Sequence, residues 1–229
     1  MKFLTIGRRH SNDLNKIKNL IIELYGDKST LYIRDRDEST SIEIEKLKSL
    51  DGFPVHIWER RHIESYLLEE KKIAELIKYN YSEMENEVIM DKIKDIIERE
   101  KINQYPHLLY DYCENRIREN YPDEIERSFH YNGESNEEEI LDNLYNALKT
   151  NKVDTFVNNI NKIIVKEYTD EYNNRWRIES KYMINAKKVL KSIKREFSRT
   201  NFTEIDIIEK IENVPEEFVE VLNLIYNPN

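Results

Sequence analysis

LYIRDRDEST, residues 31–40, and HIWERRHIESYLLEE, residues 56–70, decide how this chain is read. Each is built on a short run of β-branched and aromatic residues, LYIR and FPVHIWE, and such runs favour strands. Each run then ends in acid. Asp35 and Asp37 stand one residue apart after the first, and Glu59 and Glu64 surround Arg60 and Arg61 after the second. Outward from this pair the alternation continues. Residues 2–6, KFLTI, form another short apolar run. SNDLNKIKNLIIELYG, residues 11–26, offers a Ser/Asn cap, then Leu14, Ile17, Ile21 and Leu24 at helical spacing, and Gly26 as a stop. IEIEKLKSL, residues 42–50, reads as a second helix. Strands alternating with helices imply parallel pairing through helical crossovers, with sites at the carboxyl ends of the strands. Both acidic motifs lie at such ends.

Beyond about residue 62 strand signals fade and the period becomes helical. Ile63, Leu67, Ala74 and Ile77 fall on one helical stripe, and segments 84–100, 107–119, 136–149, 153–168, 186–198, 204–212 and 215–226 are further helices. YNGESNEEE, residues 131–139, is the clearest loop among them. The expected architecture is an α/β half-domain over residues 1–80, a short parallel sheet with helices, followed by a mainly α-helical region over residues 81–229.

The 229 residues are enough to bury a sizeable core in one large domain or two small ones. Charged residues make up 35% against 39% hydrophobic, with only 4 Gly and 5 Pro, a balance that favours long salt-laced helices over tight turns. No run approaches the roughly 18 apolar residues of a membrane span, and MKFLTIGRRH has no signal-peptide core, so a cytoplasmic location without membrane attachment is expected. The lone Cys113 has no partner for a disulfide or a zinc cluster, and a helix-packing thiol is its simplest reading. The five histidines show no metal-binding spacing, although His62 lies beside the acidic segment, where it could assist proton transfer. A net charge of −9 argues against coating nucleic acid by global attraction and leaves room for a local basic face.

In a strand of period two, Asp35 and Asp37 project to the same side and can present two carboxylates to one hard cation. Mg²⁺ takes oxygen ligands, commonly one or two protein carboxylates with water and substrate phosphate. The turn after VHIW brings Glu64 within reach as a third carboxylate, and Arg60 and Arg61 could neutralise the acids or hold a phosphate bidentately. The same residues also fit plainer roles: a solvated turn for the D-x-D, a helix-start acid for Glu64, and surface pairing for Glu59.

These residues carry a family resemblance. LYIRDRDE followed by WERRHIESYLL resembles the TOPRIM domain of the overcoming-lysogenization-defect type and related ATPase-linked nucleases, where a D-x-D strand precedes a segment of the form E-R-R-x-I-E-x-Y-L-L. Residues 176–193, WRIESKYMINAKKVLKSI, are similar to the family segment that reads Trp, Pro-Gly-Lys and a Leu-rich helix, and NVPEEFVEVLNLI at 213–225 resembles its closing helix. The resemblance implies Asp35, Asp37 and Glu64 as catalytic ligands of Mg²⁺ or Mn²⁺, and Lys187 as a phosphate or transition-state contact. It departs in two places. Asn185-Ala186 replaces the Pro-Gly, and KFLTIGRR looks like the second strand of the fold, without the Glu-Gly strand that normally precedes it. No GxxxxGK[ST] phosphate loop is present either. The expected completion is an upstream segment or partner, with an ATPase supplied separately.

Residues 181–199, KYMINAKKVLKSIKREFSR, form a basic helix in an otherwise acidic chain. Ala186, Leu190, Ile193 and Phe197 make its apolar stripe, and Lys187, Lys191 and Lys194 line an adjacent face that suits a nucleic-acid backbone or simply solvent and acidic neighbours. The function expected from all this is metal-dependent phosphodiester cleavage, of DNA in preference to RNA, within an ATPase-coupled system of the kind used against phage. The alternative is a catalytically incomplete module of the same fold that binds a partner ATPase or nucleic acid without cutting it.

Overall fold

The computed structural model describes residues 31–36, 39, 44, 45, 48, 55–120, 131, 133, 136–150 and 158–226. The strand expected at 2–6, the helix expected at 11–26, His10, Asp37, His130 and most of 42–50 lie outside the described residues.

Strands β1 (Tyr32–Arg34) and β2 (Val55–Ile57) pair in parallel, with Tyr32 opposite Val55 and Arg34 opposite Ile57. One further bond, Trp58 N–H to the Arg34 carbonyl at 3.1 Å, extends the ladder past the last strand residue. Asp35 and Glu59 therefore leave the sheet at the same edge. After β2 the chain winds into a 3₁₀ turn (Ile63–Leu67), breaks at Leu68, and enters α1 (Glu70–Asn80). The stripe expected from Ile63 to Ile77 is thus interrupted: Leu67, Ala74 and Ile77 are buried, whereas Ile63 faces solvent.

The helices that follow are α2 (Asn86–Asn120), α3 (Glu137–Thr150), α4 (Asn158–Met183), α5 (Ala186–Glu196), α6 (Glu204–Ile208) and α7 (Glu216–Tyr226). Two of the expected helices, 84–100 and 107–119, are one. Pro106 lies inside α2, and the carbonyl that its missing N–H orphans belongs to Ile102, which is 73% exposed, so water can satisfy it. Helix α4 likewise runs much further than the expected 153–168, reaching Met183. In the loop before α3, Gly133 adopts a φ of +88°, a conformation an L side chain rarely takes.

The main core is contiguous from Leu67 to Ile207. Ile73 and Ile77 of α1, Ile89, Ile93, Leu109 and Cys113 of α2, and Val189, Leu190 and Ile193 of α5 are all 0–1% exposed. Cys113 is the packing thiol the sequence suggests: its Sγ lies 3.8 Å from Thr169 Oγ1 and burial pushes it up to about 12. A second, smaller cluster joins the sheet to the last helix. Trp58 and Tyr66 pack with Val221 and, around them, Leu31 and Phe218, with the Trp58 and Phe218 rings 4.7 Å apart. This seam seats α7 beside the strand ends. Among the described residues no helix is long and apolar enough to cross a membrane.

Candidate functional site

The 3₁₀ turn is where the strand ends meet the helices, since it touches α4, α5 and α6. Its first residues are fixed by Asp35. Asp35 Oδ1 accepts the Ile63 N–H at 3.0 Å, and Oδ2 lies 3.6 Å from His62 Nδ1. Arg61 Nε donates to His62 Nε2 at 2.9 Å, which places the His62 ring proton on Nδ1, facing Asp35. Burial opposes the charge on Asp35, but His62, the Ile63 N–H and the Lys187 ammonium together outweigh it and hold the carboxyl below its ordinary value.

Glu64 follows one residue later, and its Oε1 pairs with Lys187 Nζ at 2.8 Å. The position of Lys187 follows from how α5 begins. Asn185 caps the helix through its side chain to the Lys188 N–H at 3.2 Å, while its own N–H donates to Gln104 Oε1 at 2.7 Å. Ser192 Oγ donates to Glu100 Oε1 at 2.6 Å, and Ala186 is fully buried, so α2 holds α5 at two points. The Asn185-Ala186 pair, where the resembling family carries Pro-Gly, thus builds a well-fixed helix start with Lys187 in its first turn. Glu64, first through the hydrogen bond and then through charge, raises the Lys187 ammonium above its ordinary value, and Asp35 adds to the pull. Asp35, Glu64 and Lys187 therefore act on one another, though they come from three elements spread over more than 150 residues.

The basic candidates divide. Arg60 is held inside: its guanidinium lies between the Tyr66 ring at 4.2 Å and the Tyr182 ring at 3.9 Å, and Nη1 donates to the Ser65 carbonyl at 3.0 Å. Arg61 binds the end of α4, its N–H to the Tyr182 carbonyl at 3.2 Å and Nη1 to the Met183 carbonyl at 3.3 Å. These contacts anchor the turn. On α5, Lys187 and Lys191 are exposed, whereas Lys194 lies 3.5 Å from Glu204 and 5.1 Å from the Phe202 ring centroid. Ala186, Leu190, Ile193 and Phe197 are buried, as the stripe requires.

Two groups that pattern reading passes over shape the same edge. Glu217, on α7, accepts the Glu59 N–H at 2.8 Å and contacts His56 Nε2 at 3.0 Å. Burial pushes Glu217 up and His56 down, each toward its neutral form, so the contact acts as a hydrogen bond more than as an ion pair. Arg36, the residue between the two aspartates in sequence, donates from Nη1 to the Glu59 carbonyl at 2.9 Å and lines a cleft with Arg175 and Glu179 of α4. Only the tertiary fold reveals either partner, because each contact spans far more sequence than any motif.

The residues present fit a hard cation in part. Glu64 Oε2 is buried and lacks a hydrogen-bond partner, a costly state that an incoming cation would relieve. Asp35 and Glu64 already share the field of one ammonium, the electrostatic stand-in for a metal ion. Among the described residues no three of His, Cys, Asp and Glu gather closely enough to hold a metal, and Asp37 is not among them. No protein-family model, curated protein or solved structure matches the chain.

Proposed function

We propose that the chain is a subunit or fragment of a TOPRIM-like, divalent-metal-dependent nuclease, with Asp35 and Glu64, together with Asp37, as the residues that would hold Mg²⁺ or Mn²⁺. The observation that carries this reading is that Glu64 pairs with Lys187 at 2.8 Å on the same turn whose Ile63 N–H is held by Asp35, at the carboxyl end of a parallel strand pair. A cation there would make a bound water nucleophilic at neutral pH and neutralise charge on a phosphodiester. Lys187 would turn from Glu64 to a phosphate oxygen, its long exposed stem permitting the swing. His62, held by Arg61 at Nε2 and lying 3.6 Å from Asp35 through Nδ1, would help keep Asp35 oriented. Nucleic acid would reach the site along the exposed Lys187 and Lys191 of α5. Completion by an upstream segment or partner, and coupling to an ATPase, belong to the same proposal.

Calorimetric titration with Mn²⁺, comparing the parent with Asp35→Asn and Glu64→Gln, tests it. Binding in the parent that both substitutions weaken at least tenfold supports the site, and a parent that binds no Mn²⁺ overturns it. A specific observation favours a second reading, a module that binds without cutting. Both oxygens of Asp35 already have internal partners, Ile63 N–H and His62, so the carboxylate serves the fold as it stands. Plasmid nicking in Mn²⁺ separates the two: metal binding with nicking supports the nuclease, and metal binding without it, even with an ATPase partner added, supports the binding module.

A further inference from the structure

On the far side of the Arg61 strap, β1's carboxyl end faces α2 and α4 across a small cleft open to solvent. Arg36, Arg61 and Arg175 line it together with Glu59 and Glu179, leaving a formal charge of +1 from three arginines and two glutamates. Tyr112 and Tyr172 narrow its walls. The two arginines that matter are poorly satisfied. Arg36 Nε is buried without a hydrogen-bond partner, while Nη1 of the same guanidinium donates to the Glu59 carbonyl. Arg36 and Arg175 line the same small cleft, so their like charges share one confined space. Arg175 has Glu179 at 3.8 Å, a loose contact for an ion pair. Like charges brought together over an orphaned donor call for an anion.

Size and geometry select the anion. The cavity is about 30 Å³, on a measure by which one water needs about 10–15 Å³. That leaves room for a group of a few heavy atoms. A carboxylate fills one guanidinium fork, whereas the oxygens of a phosphoryl group can bridge two. We propose that the cleft between Arg36 and Arg175 is a phosphoryl-binding site, taking either free phosphate or one backbone phosphate of a nucleic acid.

This site involves neither Asp35 nor Glu64, so it stands or falls apart from the metal reading and is tested in EDTA. Inorganic phosphate and a single-stranded oligonucleotide are titrated into the full chain, its R175Q variant and its E179Q variant, with urea denaturation confirming that each variant folds. The expected result is affinity for phosphate that drops about tenfold in R175Q and rises about threefold in E179Q, because removing Glu179 removes a competitor for the same guanidinium. A merely structural Arg175 would not move the two variants in opposite directions. If the opposite shifts occur with the oligonucleotide alone, the site reads nucleic-acid backbone; if they occur with phosphate alone, its ligand is a small phosphate. Binding of both probes that is equal in all three proteins, or no binding of either, overturns the proposal.

Discussion

Replacing Lys187 with methionine keeps most of the side-chain stem and removes the ammonium that pairs with Glu64. Without metal, the variant loses the 2.8 Å contact to Glu64, whose side chain is 19% exposed, while that of Lys187 is 70% exposed. An exposed pair contributes about 0.2–1 kcal/mol, and stranding a largely buried carboxylate costs about 1–3 kcal/mol. Because the lysine stands mostly in water, the lower end applies, and a loss of about 1 kcal/mol at pH 7 is expected from urea denaturation. The loss should shrink in 1 M salt, where screening acts over about 3 Å. Mg²⁺ at the proposed site would reverse the balance. An ammonium about 4 Å from a dication costs about 2 kcal/mol in water, and a lysine free to swing aside relieves part of it, so the variant should bind Mg²⁺ about three- to tenfold more tightly than the parent. Denaturation at several Mg²⁺ concentrations measures both effects at once, since a ligand of the native state stabilises by mass action. Equal Mg²⁺ stabilisation of parent and variant would refute the claim that ammonium and metal compete for the same carboxylates.

Asp35→Asn should cost about 1 kcal/mol at pH 7, since a charged acceptor for the Ile63 N–H is replaced by a neutral one. Asp35 titrates below its ordinary value in the folded chain, so its contribution is present above the usual carboxylate range and lost as pH falls through that lower value; urea midpoints at neutral and acidic pH should converge for parent and variant. Glu217 has the opposite sign: its raised value means that the parent loses stability as pH climbs from the ordinary carboxylate range through the folded value, a loss that Glu217→Gln, which keeps an acceptor for the Glu59 N–H, should not show. Leu109→Ala, at a fully buried position in α2, should lower stability by about 2–5 kcal/mol in denaturant titration.

Much of the local structure was legible in the chain. The runs around Ile33 and His56 announce strands, and their parallel pairing follows from the helical pattern between them. The stripe of Ala186, Leu190, Ile193 and Phe197 announces the buried face of α5, because burial of apolar area repeats with the period of the backbone. Where the signal was weaker the reading broke. The helices expected at 84–100 and 107–119 are one, and α2 continues through Pro106, since a single lost hydrogen bond at a solvent-facing turn costs less than abandoning the packing on either side. Ile63 likewise fits a helical stripe, yet the turn it opens is a 3₁₀ segment that ends at Leu68, with the Ile63 N–H taken by Asp35 from another element.

Residue type alone marks Asp35, Glu64, Lys187 and the arginines around them as chemically able to form the candidate site. Their separate duties come from the packing of distant elements. It turned Arg60 and Arg61 inward as anchors, set the Lys187 ammonium against Glu64, and brought Arg36 and Arg175 into the lining of one cleft. The physical reason is range. Strand and helix periods are written within a dozen residues, whereas a charge takes its role from whichever partners the packing of distant helices brings within about 4 Å, and that distance has no local signature.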